Sequence, residues 1–417
     1  MRMKFGSYLV LPLKFDAEDP RLKLPERECT PFRLNTADLN ENVKRMLNEK
    51  GHQSIGSAYR IPKEQLEEAL CAGASPSHFK VSNEGVGHSF ELLDSYLYIF
   101  HTQVAFLCLA ISFSAMETLH FICNPGFAQS TASFLWLDTQ GGEHPFCLER
   151  ALEQLCGRWG LRKFYDGSPM LPEIYAYILA LTDQRFDTLD ELQKITFNLH
   201  KMQNLDNPLE DDSEADLRYV FAAKNNLARN YRWGCCVASQ TISYAVADPS
   251  MDLIREMETQ GTDGLPIVML ALFARYTCLR FTDLIALPQT LNSRSIRTLK
   301  QQMLRFQAFG TVSPANLSRW NNVKQIYGYL LEVCDTTNAV QDISFKVDIL
   351  NEQQQELQNR RSSRVLNLVT IFGAVGIVTS IQSIVQLLTN ADQFMWTITL
   401  LTVAVMCLCF GLALRKK

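Results

Sequence analysis

The longest uninterrupted apolar runs of this chain lie at its C-terminal end. Val365 to Leu388 contains no charged side chain, and neither does Phe394 to Leu414. Each run reaches the roughly 20 residues a helix needs to cross a hydrocarbon layer about 30 Å thick. Thr389, Asn390, Ala391, Asp392 and Gln393 separate them, enough for a tight turn. The pattern predicts a hairpin of two transmembrane helices. Arg360, Arg361 and Arg364 precede the first span, and Arg415, Lys416 and Lys417 follow the second. Flanks rich in Lys and Arg stay in the cytoplasm, so both ends are expected there and the turn outside.

Upstream the period changes to that of an amphipathic helix. Val323, Ile326, Leu330, Val333, Thr337, Val340, Val347 and Leu350 keep a spacing near three and four. Gln354, Leu357, Arg361 and Arg364 carry the register into the first span at Leu368 and Ile371. No proline falls between Trp320 and Leu388, which predicts a stalk helix over 320–364. Such a stalk reaches about 65–70 Å at 1.5 Å per residue. Gly328 and the stretch Asp335-Thr336-Thr337-Asn338 are its weak points. A lone helix cannot bury its own apolar stripe, so a symmetric bundle of copies is expected. In the first span Gly373, Gly376, Ser380 and Ser383 form a stripe of small residues suited to close helix approach. Asn367, Thr370, Ala374, Val378 and Ile381 form another stripe, the candidate pore lining, polar at the cytoplasmic mouth and apolar beyond. An apolar constriction of that kind gates by dewetting. Thr379, Gln382 and Gln386 lie on a different face, for interhelical hydrogen bonds or for the pore.

The N-terminal part reads as mixed α/β. Phe5 to Phe15 resembles a strand, with Pro12 pointing to an edge or a bulge. Tyr96, Tyr98 and Phe100 alternate, Val104 to Phe113 follows, and together they predict a β-hairpin. Ser114 and Glu117 have capping-box spacing at the head of a helix toward Cys123, with Gly126 just past its end. Phe134 to Leu137 reads as a strand, and Leu148, Leu152, Leu155 and Trp159 keep helical spacing. From Asp206 to Asp216 acidic side chains crowd beside Pro208, as an exposed loop or a divalent-cation sensor without EF-hand spacing. Beyond it the chain reads as helical. Leu265 to Phe281 is apolar, but Arg275 and Arg280 interrupt it and argue against a third span. The expected organisation is a cytoplasmic α/β domain (1–205), an acidic boundary (206–217), a helical cytoplasmic region (218–319), the stalk (320–364) and the hairpin (365–417).

Composition narrows the chemistry. At 417 residues and a net charge of −4, nothing global points to nucleic-acid binding. The first residues lack the apolar core and cleavage site of a signal peptide, so the large N-terminal part is expected in the cytoplasm. The cysteines are scattered without paired CxxC motifs, as core hydrophobes of a reducing compartment, with Cys235 and Cys236 as a redox alternative. His101, His120, His144 and His200 stand apart from any nucleophile or metal partner at telling spacing, so neither catalytic nor metal residues are assigned and no cofactor is expected. Lys224, Arg229, Arg232, Arg275 and Arg280 are the candidate ligand-binding cations, able to hold phosphates through charge-assisted hydrogen bonds. Arg294, Arg297, Lys300 and Arg305 form a further basic face. A glycine-rich phosphate loop is absent.

The order of an α/β domain, a long stalk and two C-terminal spans joined by a short turn resembles the CorA-like family of membrane proteins. The resemblance is carried by Ser313 to Lys417, including SRWNNVKQIYGYLLEV and LNEQQQELQNRRSSRVLNLVTIF, about a quarter of the chain. It implies a homo-oligomer, a pentamer, in the cell inner membrane. Magnesium-carrying members have Gly-Met-Asn at the outer end of the first span. Here that place reads Leu388-Thr389-Asn390-Ala391-Asp392, with Asn390 in the asparagine's stead and Asp392 as the one acid. The departure is shared by the CorA-like proteins found beside type III CRISPR systems. That resemblance implies an antiviral defence effector, not an enzyme, answering a small nucleotide messenger. A magnesium transporter and a non-conducting membrane-anchored scaffold are the alternatives.

Overall fold

The computed structural model describes residues 2–17, 19–51, 53–71, 73–83, 85–125, 132–208, 231–286 and 293–389, with Thr397 and Ala404. The chain divides into two compact units, Met1–Phe345 and Lys346–Lys417.

The first unit is built on one mixed sheet. Its strands are β1 (Met3–Lys14), β2 (Thr30–Pro31), β3 (Gly56–Arg60), β4 (His78–Asn83), β5 (Val86–Phe100), β6 (Val104–Phe113), β7 (Ser133–Leu137), β8 (Glu143–Phe146), β9 (Arg162–Lys163), β10 (Tyr175–Thr182), β11 (Trp233–Val237) and β12 (Thr241–Ala247). The order is β11-β12-β10-β1-β6-β5-β4-β7-β8, with β3 also on β5, β2 on β3 and β9 on β1. All pairs are antiparallel except β10 with β12. That parallel pair needs a crossover, which includes the helix Leu189–His200.

Among the described residues the helices of eight residues or more are α1 (Glu41–Asn48), α2 (Lys63–Leu70), α3 (Met116–Cys123), α4 (Leu148–Arg158), α5 (Leu189–His200), α6 (Leu253–Thr262), α7 (Gly264–Ala286), α8 (Ser293–Arg305), α9 (Asn321–Val333) and α10 (Thr336–Thr389). Alternation along the strands gives the sheet two different faces. Leu9, Leu11, Leu97, Leu107, Leu109 and Ile178 make an aliphatic face that shares a core with Leu119 of α3, Leu152 of α4 and Leu192 of α5. The opposite face is aromatic: Tyr8, Tyr96, Tyr98, Phe100, Phe106 and Tyr177 are all buried. There α6 and α7 seal it. Tyr8 donates to the carbonyl of Met257 at 2.7 Å, and Phe100 stacks on Phe273 with centroids 4.2 Å apart. The helices approach so closely that a Cβ on Gly261 would overlap the Tyr8 hydroxyl.

The β5–β6 hairpin, the strand near Phe134 and the helix from Leu148 agree with the sequence pattern. α7 is long and apolar enough to cross a membrane, yet most of its apolar window is buried inside the first unit. Four expectations need correction. β1 lies in the middle of the sheet between β10 and β6, not at an edge. Pro12 falls where pairing to β10 has ended at Val10 and pairing to β9 begins at Leu13, so its missing N–H faces a gap in the ladder. No capping box forms at Ser114: the residue before α3 is Ala115, without a side-chain cap. The region 218–319 contributes two strands, β11 and β12, before its helices. The stalk is not one helix over 320–364. It breaks at Cys334 and Asp335 into α9 and α10. Val323, Ile326 and Leu330 are buried, and α9 packs on α7, so this part of the stripe is covered by the chain itself rather than by copies. Gly126 and most of Asp206–Asp216 lie outside the described residues.

Candidate membrane-spanning site

α10 runs for 54 residues, about 80 Å at the usual rise. Its apolar part begins after Arg360, Arg361 and Arg364, of which Arg360 pairs with Glu356 at 3.7 Å. Aliphatic and aromatic side chains then stand exposed around the helix: Leu366 is 66% exposed, Val369 62%, Phe372 73% and Ile377 63%. None of the apolar window is buried. In water so large a continuous apolar surface is unfavourable, and it marks a surface meant for lipid or protein.

Hydroxyls inside the segment are paired within the helix. Thr370 donates its hydroxyl to the Leu366 carbonyl at 2.8 Å, Thr379 to Val375 at 3.1 Å, Ser380 to Gly376 at 2.7 Å and Ser383 to Thr379 at 3.0 Å. Each returns to a carbonyl four residues earlier, so the hydroxyls are satisfied without water. A Cβ on Gly373 or Gly376 would meet nothing within 4 Å, so this small-residue stripe leaves room for an approaching helix. Asn367, Thr370, Ala374, Val378 and Ile381 all lie on α10 within this segment. The turn residues Asn390 and Asp392 lie outside the described residues. Of the second span, only Thr397 and Ala404 are described, both helical.

The described cationic candidates, Arg232, Arg275 and Arg280, have separate surroundings. Lys224 and Arg229 lie outside the described residues, and Arg232 is exposed just before β11. Arg275 donates to the Ser239 carbonyl at 2.9 Å and lies 3.9 Å from the Cys334 sulfur. Arg280 is 4% exposed and donates to Gln103 Oε1 at 2.9 Å, with Asp16 at 3.6 Å. Its Nε is buried without a partner, and burial together with nearby Arg162 pushes its guanidinium pKa down. Both arginines thus brace α7 against the ends of the sheet.

Among the described residues, clefts indent the first unit. One, of about 830 Å³, is bordered by Phe5, His88, Glu117, Glu191, Lys194 and Asp206. Another, of about 610 Å³, is bordered by Phe32, Arg33, Asn48, Lys50, Ser57 and Tyr59. Neither is lined by Arg275 or Arg280. Histidine 144 bonds Asp138 at 3.0 Å and stacks on Trp136 in the β7–β8 hairpin. The Asp138 carboxyl is held below its usual range by that bond and by the amides of Gly142 and Gln140. Cys235 and Cys236 are free and buried, and burial pushes the Cys236 thiol up to about 12. Among the described residues no group of three or more His, Cys, Asp or Glu side chains is placed to hold a metal ion.

Sequence reading missed a buried carboxylate. In β5 the pairing to β6 shifts between Leu92 and Asp94, a β-bulge that re-aims the side chains beyond it. Asp94 there accepts from Arg60 Nε at 2.9 Å, from the Ser95 amide at 2.8 Å and from the Tyr96 hydroxyl at 2.7 Å. The sequence hint was an acid set between Leu92-Leu93 and the aromatic run from Tyr96 to Phe100.

The fold and the apolar helix together define an α/β sheet unit joined in one chain to a helix long and apolar enough to cross a membrane. No protein-family model, no curated protein and no solved structure matches this chain.

Proposed function

We propose that this chain is a CorA-like membrane channel, a homo-oligomer whose α/β unit gates a pore lined by the apolar part of α10. The observation that carries the reading is the exposed apolar stretch of α10, whose hydroxyls are satisfied internally and whose glycines leave room for neighbouring helices. Exposed Ile349 and Leu357 on the preceding turns add apolar surface for contact with copies. In this reading Phe394 to Leu414 completes the hairpin, both ends stay in the cytoplasm, and Asn367 and Thr370 form the inner mouth of the pore. A small nucleotide messenger binds the α/β unit and shifts it toward the open state, which requires unequal affinity for the two states. Membrane leakage in antiviral defence is the biological role proposed.

The test is ion flux from liposomes holding the full chain, with and without cyclic and linear oligoadenylates and other adenosine nucleotides. Ligand-dependent flux supports the reading. Silence toward every nucleotide together with magnesium uptake points to a transporter. Silence in both, with a monomer in detergent, points to a non-conducting anchor.

A further inference from the structure

α9 and α10 are separated by two residues, Cys334 and Asp335. Asp335 has φ 48°, the left-handed region that glycine ordinarily supplies just past a helix end. Its amide donates to the Glu332 carbonyl at 2.9 Å, and the Cys334 amide to Leu330 at 3.2 Å, which closes α9. Thr336, the first residue of α10, is 3% exposed, and its hydroxyl has no partner. Arg275 braces the joint from α7 through Ser239 and Cys334. Beside it lies a cavity of about 310 Å³ bordered by Pro314, Gly328, Leu331, Glu332, Asp335 and Thr337. The nearest atom to a Cβ built on Gly328 is Pro314 Cγ at 3.7 Å, an ordinary van der Waals contact.

Two features of this bent joint are locally unfavourable, and both disappear in one rearrangement. If residues 333–337 took helical angles, Asp335 would leave the left-handed region. The Thr336 hydroxyl would then face the Glu332 carbonyl four residues earlier. Thr370 already makes that bond to Leu366 further along the same helix. No proline or glycine between Tyr329 and Phe372 opposes a continuous helix. The bent form is held by a local bond, Asn338 Nδ2 donating to Asp335 Oδ1 at 2.7 Å, and by tertiary contacts: Arg275 against Cys334 and the burial of Ile326, Leu330 and Ile343.

We infer that the α9–α10 joint is a two-state hinge, bent as described and straight when Asp335 turns helical and Thr336 bonds back to Glu332. The Arg275 brace sets the balance between the two. On the pore reading, the hinge converts a change in the α/β unit into a change in the direction of α10.

The test places spin labels at exposed Asn322 and Gln341 through non-canonical amino acids and measures their separation in the full chain in lipid nanodiscs. The straight form sets the two Cα atoms about 28 Å apart, and the bent form brings them closer. The wild type should show both distances. Asp335→Gly, which relieves the left-handed residue, should cut the long component about tenfold. Thr336→Val, which removes the unpartnered hydroxyl while keeping its shape, should cut it in the same direction. Asp335→Ala should raise it. One distance that is unchanged in Asp335→Gly and Thr336→Val overturns the inference. The readout needs no ion flux, so the hinge and the pore fail separately.

Discussion

Among the described residues two helices have the length and composition to cross a membrane, and arginine placed in the middle of each should separate their roles. Ile377 lies near the centre of Val365–Leu388 and is 63% exposed. Leu270 lies within α7 and is fully buried in the first unit. Between Val365 and Leu388 stand fourteen Leu, Ile, Val and Phe residues. At about −0.3 to −0.6 kcal/mol each, they favour insertion by roughly 4–8 kcal/mol before Asn367, Gln382 and Gln386 offset part of it. Ile377→Arg forfeits one such term and adds about 2.5–3.5 kcal/mol, a change of about 3–4 kcal/mol. That is on the order of half the total. The assay fuses glycosylation acceptors to both sides of 360–390 and scores the inserted fraction, with protease resistance of the first unit as a second readout. Ile377→Arg should lower insertion strongly and leave the first unit protease-resistant. Leu270→Arg should leave insertion intact and open the first unit to protease, because a buried unpaired charge costs several kcal/mol of a total stability of about 5–15 kcal/mol. The reverse outcome, with insertion lost in Leu270→Arg and kept in Ile377→Arg, would refute the assignment.

Other expectations follow from single sites. Phe273→Ala removes a 1% exposed ring that stacks on Phe100 and meets Phe306 edge-on at 5.6 Å, and should cost about 3–5 kcal/mol in thermal or denaturant unfolding. Asp138 has a depressed pKa in the folded chain, so its bonds stabilise the β7–β8 hairpin above the unfolded carboxylate value and are lost as pH falls through the folded one. Hydrogen exchange over 138–146 should therefore rise relative to the rest of the sheet below about pH 4, and Asp138→Asn should remove that difference. Cys147 is exposed while Cys235 and Cys236 are buried, so a thiol reagent at pH 8 should modify Cys147 quickly and the vicinal pair only after denaturation.

Much of the architecture was legible where one physical signal dominated. The alternating aromatics Tyr96, Tyr98 and Phe100 marked the end of β5, and the short break before Val104 marked its hairpin with β6. Arg275 and Arg280 argued in the sequence against a third span and were read as ligand-binding cations, whereas in the fold they bond Ser239 and Gln103. The stalk misled because its apolar spacing is the same whether the covering surface is a second copy or the chain's own α7. Of the two weak points read there, Asp335 breaks the helix and Gly328 does not, since Gly328 is enclosed by continuing turns of α9. β11 and β12 were missed because WGCCV and TISYAVA are short apolar runs that periodicity cannot distinguish from helix. The Asp94 site depends on a one-residue bulge, which no pattern of apolar positions reveals.

The most direct test of the account is the sidedness of α10. Cysteines placed singly at Ser363 and at Thr389, in a chain whose other thiols are replaced, are probed in intact cells with a membrane-impermeant maleimide. The account predicts that Thr389→Cys is labelled from outside and Ser363→Cys only after the membrane is opened. Labelling of both from the same side would contradict it.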